Sequence, residues 1–291
     1  MKKILLFLLI IVVIAAPVTF AACSRVSQPD MLSHPYVCSA DGYELFTYTM
    51  YEGTNAVGTM TLRFKPLSNA SVTIADPRIT SNEKAFTSFS GTQISMAYQL
   101  DEIGDHGSSE VLFDNNYRPV YSYKHTDIGG EVKDMVVSYD GDYAHTYLFR
   151  NGAIAETSEQ DIDGTVCFDN EMLYAVIRAS GIAQDSYTFS FVSPNALTAT
   201  RETISVSKVA DAEADIPALV AKDAAEDARM TPCYLFRVSI ANTYANTYTM
   251  SVAKNPVTVD NDYMNVTGVK KVITLISEGT VTYKLVGIEI V

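Results

Sequence analysis

Apolar and polar residues alternate along most of this chain beyond residue 42. Phe46, Tyr48 and Met50 are interleaved with Thr47 and Thr49, Glu52-Gly53-Thr54-Asn55 turns the chain, and the return places Gly58, Met60, Leu62 and Phe64 on one face. A period of two with one apolar face predicts an antiparallel hairpin buried on one side. Ile94, Met96, Tyr98 and Leu100 repeat the pattern, and a further strand follows Asp114-Asn115-Asn116 over 120–125. Asp140-Gly141 and Asn151-Gly152 then separate strands at 132–139, 143–150 and 153–157, because both dipeptides tolerate the positive φ of tight hairpin turns.

The period changes once in mid-chain. Asp169 is placed to cap a helix over 170–180, in which Met172, Leu173, Val176 and Ile177 form one stripe before Gly181. That stripe should lie against a sheet face. A second, acidic non-strand piece, 211–229, has Asp215 and Pro217 at the start of a short predicted helix over 215–229. Strand-like segments at 186–191, 197–209, 234–240, 248–252, 270–276 and 281–291 bring the total to about a dozen. The expected class is mainly β: a single antiparallel domain over 42–291, forming a curved sheet or open half-barrel that wraps a central helix.

The first 41 residues follow other rules. Lys2 and Lys3 precede an apolar run from Ile4 to Ala16, and Phe20-Ala21-Ala22-Cys23 supplies small residues at an exit. This is the layout of a secretory signal, too short for a membrane span of about 20 residues. The segment resembles the lipobox of bacterial lipoproteins, with Phe20 where leucine is commoner. The resemblance implies cleavage over 1–22, an acyl chain such as palmitate on Cys23, and a polar tether over 23–41 carrying Pro29 and Pro35. Ordinary cleavage after Ala22, or an uncleaved anchor, are the alternatives. Each methylene of an acyl chain buried in a bilayer contributes about 0.8 kcal/mol. An exported protein held at the cell envelope by lipid is therefore the expectation.

Composition narrows the partners. Cutting 22 residues from 291 leaves 269, enough to bury a core without disulfides. The full chain has 21 Lys+Arg against 34 Asp+Glu, and removal of Lys2 and Lys3 takes the net charge from −13 to about −15. Such a charge disfavours nucleic acid and bare anionic headgroups. Cys38, Cys167 and Cys233 remain beside Cys23, none in a CxxC or near a histidine at ligand spacing; they read as buried small apolar residues, with one disulfide of undefined connectivity and one free thiol as the alternative.

Two stretches carry a further resemblance: 42–48 with 57–62, and Phe168 to Arg178 with the closing Thr282-Tyr283-Lys284-Leu285. Together they are similar to a bacterial periplasmic family of unknown function whose strands wrap a helix. Its architecture is similar to the half-barrel of the lipoprotein carriers, which shelters acyl chains in an apolar concavity. The resemblance implies no catalytic residues, and the acidic 211–229 segment departs from it.

The chain carries few motifs for chemistry. His34, His106, His125 and His145 show no HExxH or i, i+4 pairing, and neither GxSxG nor GxxxxGK occurs. Glu159, Asp161, Asp163 and Gly164 match half of a calcium loop, but Asn170 stands where the closing acid belongs, so a solvated turn is the reading and no metal or cofactor is expected. With 18 Tyr, 12 Phe and no Trp, aromatic residues on alternating positions suit cross-strand packing, or an apolar groove with hydroxyls at its mouth. The functional expectation is a non-enzymatic lipoprotein whose partners are the membrane, through its anchor, and an apolar small molecule or envelope protein. Phe46, Tyr48, Met50, Met60, Leu62 and Phe64 would face Met172, Leu173, Val176 and Ile177 across the binding cavity. A surface interaction module or adhesin is the alternative, and inward-pointing tyrosines would favour the ligand; a hydrolase is a third reading.

Overall fold

A computed structural model describes residues 35–39, 41–74, 76–79, 84–162, 167–179, 186–193, 200–216, 230–240, 247–261 and 264–291. The predicted first hairpin is strand β1 (Glu44–Glu52) and strand β2 (Asn55–Ile74), turned through Gly53 at φ 61°. An antiparallel meander continues through β3 (Lys84–Leu100), β4 (His106–Asp114), β5 (Pro119–Ile128), β6 (Glu131–Tyr139), β7 (Tyr143–Arg150) and β8 (Ala153–Asp161). At the β7–β8 turn both Asn151 (φ 48°) and Gly152 (φ 82°) take the positive values that the dipeptide was expected to supply.

After β9 (Cys167–Asp169) comes one 3-10 turn (Asn170–Met172) and helix α1 (Leu173–Ala179). The chain then runs through β10 (Ser186–Ser193), β11 (Thr200–Asp215), β12 (Met230–Ile240), β13 (Thr247–Ala253), the small hairpin β14 (Val257–Asn261) and β15 (Met264–Val269), then β16 (Ile273–Glu278) and β17 (Val281–Ile290). Among the described residues fifteen strands form one sheet in the order β8-β7-β6-β5-β4-β3-β2-β1-β17-β16-β13-β12-β11-β10-β9, with only β9 and β10 parallel. The chain's last strand thus joins its first to β16. Paired main-chain bonds between Tyr43 and Val291 fasten that junction.

Registered pairs share a face, so the alternation propagates across strands as rows. One row holds Phe46, Leu62, Met96, Ser109, Lys124, Met135 and Leu148; the next holds Tyr48, Met60, Tyr98, Gly107, Thr126 and Lys133. These rows line the concave face, which curls until β9 and the 3-10 turn touch β4 and β5. The helix fills one end of this half-barrel, within the main apolar cluster. Leu173, Ala175, Val176, Ile177, Arg178 and Ala179 are all buried. The expected single stripe is therefore too narrow a description: strands enclose the helix on nearly every side.

Several expectations are corrected. Residues 211–215 extend β11 rather than beginning an acidic helix; Asp211 pairs with Lys208 and Lys254 across the strand surface. Residues 217–229, where the rest of that helix was expected, lie outside the described residues. The tether ends earlier than 41, because Tyr36 packs on Phe64 with ring centroids 5.7 Å apart and the Val37 amide donates to Glu44 Oε1 at 2.7 Å. Strand β4, the β14–β15 hairpin and the long outer halves of β2 and β3 add to the dozen strands expected. Cys38, Cys167 and Cys233 are free thiols, the first half-buried and the others buried.

Candidate functional site

The helix is fixed at both ends by buried charge. At its start Asp169 Oδ1 accepts from the Glu171 amide at 2.9 Å, while Asp169 Oδ2 accepts from Ser122 Oγ (2.6 Å) and from the Tyr139 hydroxyl. Ser109 Oγ donates to Glu171 Oε2 at 2.6 Å, and Lys124 Nζ lies 3.5 Å from Glu171 Oε1. Burial, restrained by the Ser122 and Tyr139 bonds, lifts the Asp169 pKa from 3.8 to about 6. At the other end Arg178 Nη2 donates to Glu44 Oε2 (2.7 Å) and to the Lys270 carbonyl (3.1 Å). Its guanidinium carbon sits 4.6 Å and 4.8 Å from the ring centres of Phe64 and Phe46.

These anchors hold the helix at the end of the half-barrel where β1 begins. The opposite end stays open. There the concave face encloses a cup of about 480 Å³, within the range of about 300–1,000 Å³ usual for small-molecule sites. Met60, Met96, Met135 and Leu148 supply its apolar wall, and Tyr98, Tyr174, Tyr283, Lys124 and Glu278 its polar groups. Tyr174, the half-buried residue of α1, reaches into the cup from the helix. Gly107 makes room for Tyr98: a Cβ there would fall 2.6 Å from the tyrosine ring.

The electrostatics are those of a partly dry site. Burial, reinforced by Glu278 and Tyr98, pushes the Tyr283 hydroxyl up to about 12. Burial, with Glu171, Tyr283 and Glu278 adding to it, raises Tyr174 well above the ordinary phenol range. Glu278 is also raised by burial, against the pull of a Tyr248 hydrogen bond and Lys124. Tyr98, Tyr174, Tyr283 and Glu278 all line this one cavity.

The ten side chains expected to line a cavity are brought together, but as packed core. Phe46, Tyr48, Met50, Met60, Leu62, Phe64, Met172, Leu173, Val176 and Ile177 all fall in one cluster, none more than 7% exposed. Met60 alone of the ten also lines the cup. The cavity lies further along the strands, on residues that sequence reasoning did not single out. Cys23 and His34 lie outside the described residues. Tyrosines divide between faces: Tyr48, Tyr98, Tyr174 and Tyr283 point inward, whereas Tyr121 and Tyr123 lie on the convex side with Ile79, Val136 and Phe149. On that side Asp134 accepts from Arg78, His125 and Tyr123. Among the described residues no cluster of three or more His, Cys, Asp or Glu is arranged for a metal ion, and no helix is long and apolar enough to cross a membrane.

Neither a protein-family model nor a curated protein matches the chain. Among solved structures it is similar to a β-barrel-like protein of the domain of unknown function DUF1849 from Brucella abortus, with 8% identity and a TM-score of 0.49 over 86% of this chain and 98% of that one. It is also similar to a protein from Bacteroides fragilis described as exported and YmcC-like in fold, with 9% identity and a TM-score of 0.27 over 89% and 99% of the two chains. Likenesses at that level assign neither a family nor an activity.

Proposed function

We propose that this is an exported lipoprotein that works by binding rather than catalysis, taking the apolar part of a small amphiphilic molecule into the open end of its half-barrel. The observation that carries this reading is the cup: a concavity walled by three methionines and a leucine beside a helix that fills only the other end. Methionine walls adapt to flexible apolar ligands, and the tyrosines offer hydroxyls at the polar side. Export and anchoring rest on the Lys2-Lys3 start, the apolar run and Ala21-Ala22-Cys23. Residues 35–39 join the body at the helix-filled end, and β1 spans roughly 25–30 Å from there. The mouth therefore faces away from the point where the tether arrives. Exposed Ile103, in the turn between β3 and β4, and Ile128, the last residue of β5, give an apolar rim to which an envelope protein exchanging the ligand would dock.

The test is displacement of a fluorescent fatty-acid probe from the full chain, with Met135→Arg placed to fill the cup. Probe binding lost in Met135→Arg, with the circular-dichroism spectrum unchanged, is the expected result. Equal binding by the filled variant would remove the cup from the function.

A further inference from the structure

The convex side of the sheet carries a long hollow of its own. Thr61, Ala97 and Ser108 are registered neighbours on β2, β3 and β4, and their small side chains leave a trough in that face. A hollow of about 560 Å³ opens on one side of this row, toward Gln99 and His106, and another of about 490 Å³ on the other side, toward Arg63, Glu110 and Tyr123. Glu110 also borders a third hollow, of about 500 Å³, that reaches Leu112 and Tyr121. Leu67, Val72 and Ile74 wall this last one, because the outer halves of β2 and β3 fold back over the sheet as an arm. The arm is fastened: Ile74 and Phe89 pack on Leu112, Ile79 packs on Val136 and Phe149, and Arg78 reaches Asp134 at 2.6 Å. The hollows follow β4 from His106 to Leu112, a run of roughly 20 Å.

We propose that this groove is a second binding site, independent of the cup, and that it takes a neutral oligosaccharide chain. Its length suits a chain rather than a single small molecule. An extended polypeptide is recognised chiefly through main-chain partners, but the main-chain groups of β2 to β5 are taken up in ladders on both sides, so recognition here falls to side chains. Thr59, Thr61, Ser108 and Gln99 offer hydroxyls and an amide, groups that donate and accept as sugar hydroxyls do. Tyr43 and Tyr123 line the middle of the groove, their hydroxyls donated to Glu289 at 2.7 Å and to Asp134 at 2.8 Å. Rings held in this way give flat apolar surface to the C–H faces of pyranose rings. Arg63 and Lys65 stand against Glu110, so in a chain of net charge −13 the groove itself favours neither sign of ligand.

The test is calorimetric titration of the full chain with cellohexaose, chitohexaose and maltohexaose, with the disaccharide of each, with hexagalacturonate, and with a glycine–serine decapeptide. At least one neutral hexamer should bind about tenfold more tightly than its own disaccharide and than hexagalacturonate. Ala97→Arg, at an exposed position on the groove floor, should weaken that hexamer about tenfold with the circular-dichroism spectrum unchanged, and Ser108→Arg should do the same. Met135→Arg, which fills the cup, should leave the hexamer within about twofold, so the groove and the cup stand or fall separately. Binding of no neutral hexamer, or equal binding of hexamer and disaccharide, would overturn the proposal. Tighter binding of the decapeptide would make the groove a peptide site instead. A hexamer affinity unchanged in both Ala97→Arg and Ser108→Arg, or lost in Met135→Arg, would place the sugar elsewhere and equally overturn it.

Discussion

Replacing Asp169 by Asn should remove a pH dependence of stability that the natural protein shows between mildly acidic and neutral conditions. The wholly buried carboxyl has its pKa raised from 3.8 to about 6, chiefly by burial, while Ser122, Tyr139 and the Glu171 amide restrain the rise. An acid whose pKa is higher in the fold than in the unfolded chain destabilises the fold when ionised. The penalty is absent below 3.8, grows as pH rises, and is complete above 6. Each tenfold change in proton affinity is worth about 1.4 kcal/mol, so a rise from 3.8 to about 6 makes the full penalty about 3 kcal/mol. Roughly 1 kcal/mol of that is already present near pH 4.5, so about 2 kcal/mol develops between pH 4.5 and 8. Asp76, Asp134, Asp140 and Asp211 are shifted downward, so their stabilisation is lost below 3.8, outside this window. Asparagine keeps the shape and an acceptor for the Glu171 amide, and does not titrate. Urea unfolding followed by circular dichroism at both pH values gives the variant's stability relative to the natural protein. That difference should move by about 2 kcal/mol in favour of Asn at the higher pH. A difference equal at both, within about 0.5 kcal/mol, would refute the account of how the helix start is held.

At the other end of the helix, Glu44→Gln strands a buried guanidinium and should cost about 3–5 kcal/mol in denaturant unfolding, whereas the double change with Arg178→Met should recover most of it. Gly42→Ala would put a Cβ 1.7 Å from the Val291 carbonyl oxygen and should lower the thermal midpoint by disrupting the Tyr43–Val291 bonds, while Gly287→Ala, with Thr47 Cβ at 3.5 Å, should be nearly silent. Gly107→Ala should push the Tyr98 ring into the cup and weaken probe binding with little change in the circular-dichroism spectrum. Cys23→Ser should release the exported protein from membranes on fractionation; a variant still membrane-bound would contradict lipid anchoring.

Local pattern carried most of the sheet and little of the cup. The alternation of Phe46, Tyr48 and Met50 against Met60, Leu62 and Phe64 survives as registered pairs, because a hairpin is specified by residues close in sequence. The same parity places Glu44 inward, and a charged residue in an apolar register was a readable sign of a buried partner. That the partner is Arg178, 134 residues away, was not readable. Strand β4 escaped notice because its inward row includes Gly107 and Ser109, which make room for Tyr98 and bond Glu171 in place of apolar packing. The cup draws residues from β2, β3, β5, β6, β7, α1, β16 and β17, and no short window of sequence contains enough of them to be recognised.

The place of β17 in the sheet has a consequence for the order of folding. The hairpins from β1 to β8 need only neighbours already made, but β1 meets β16 only through the final ten-residue strand. Pairings such as Glu44 with Ile290 close a loop that spans most of the chain, the kind of contact that slows folding. The two halves of the sheet therefore remain unjoined until β17 has been synthesised and has paired with both β1 and β16.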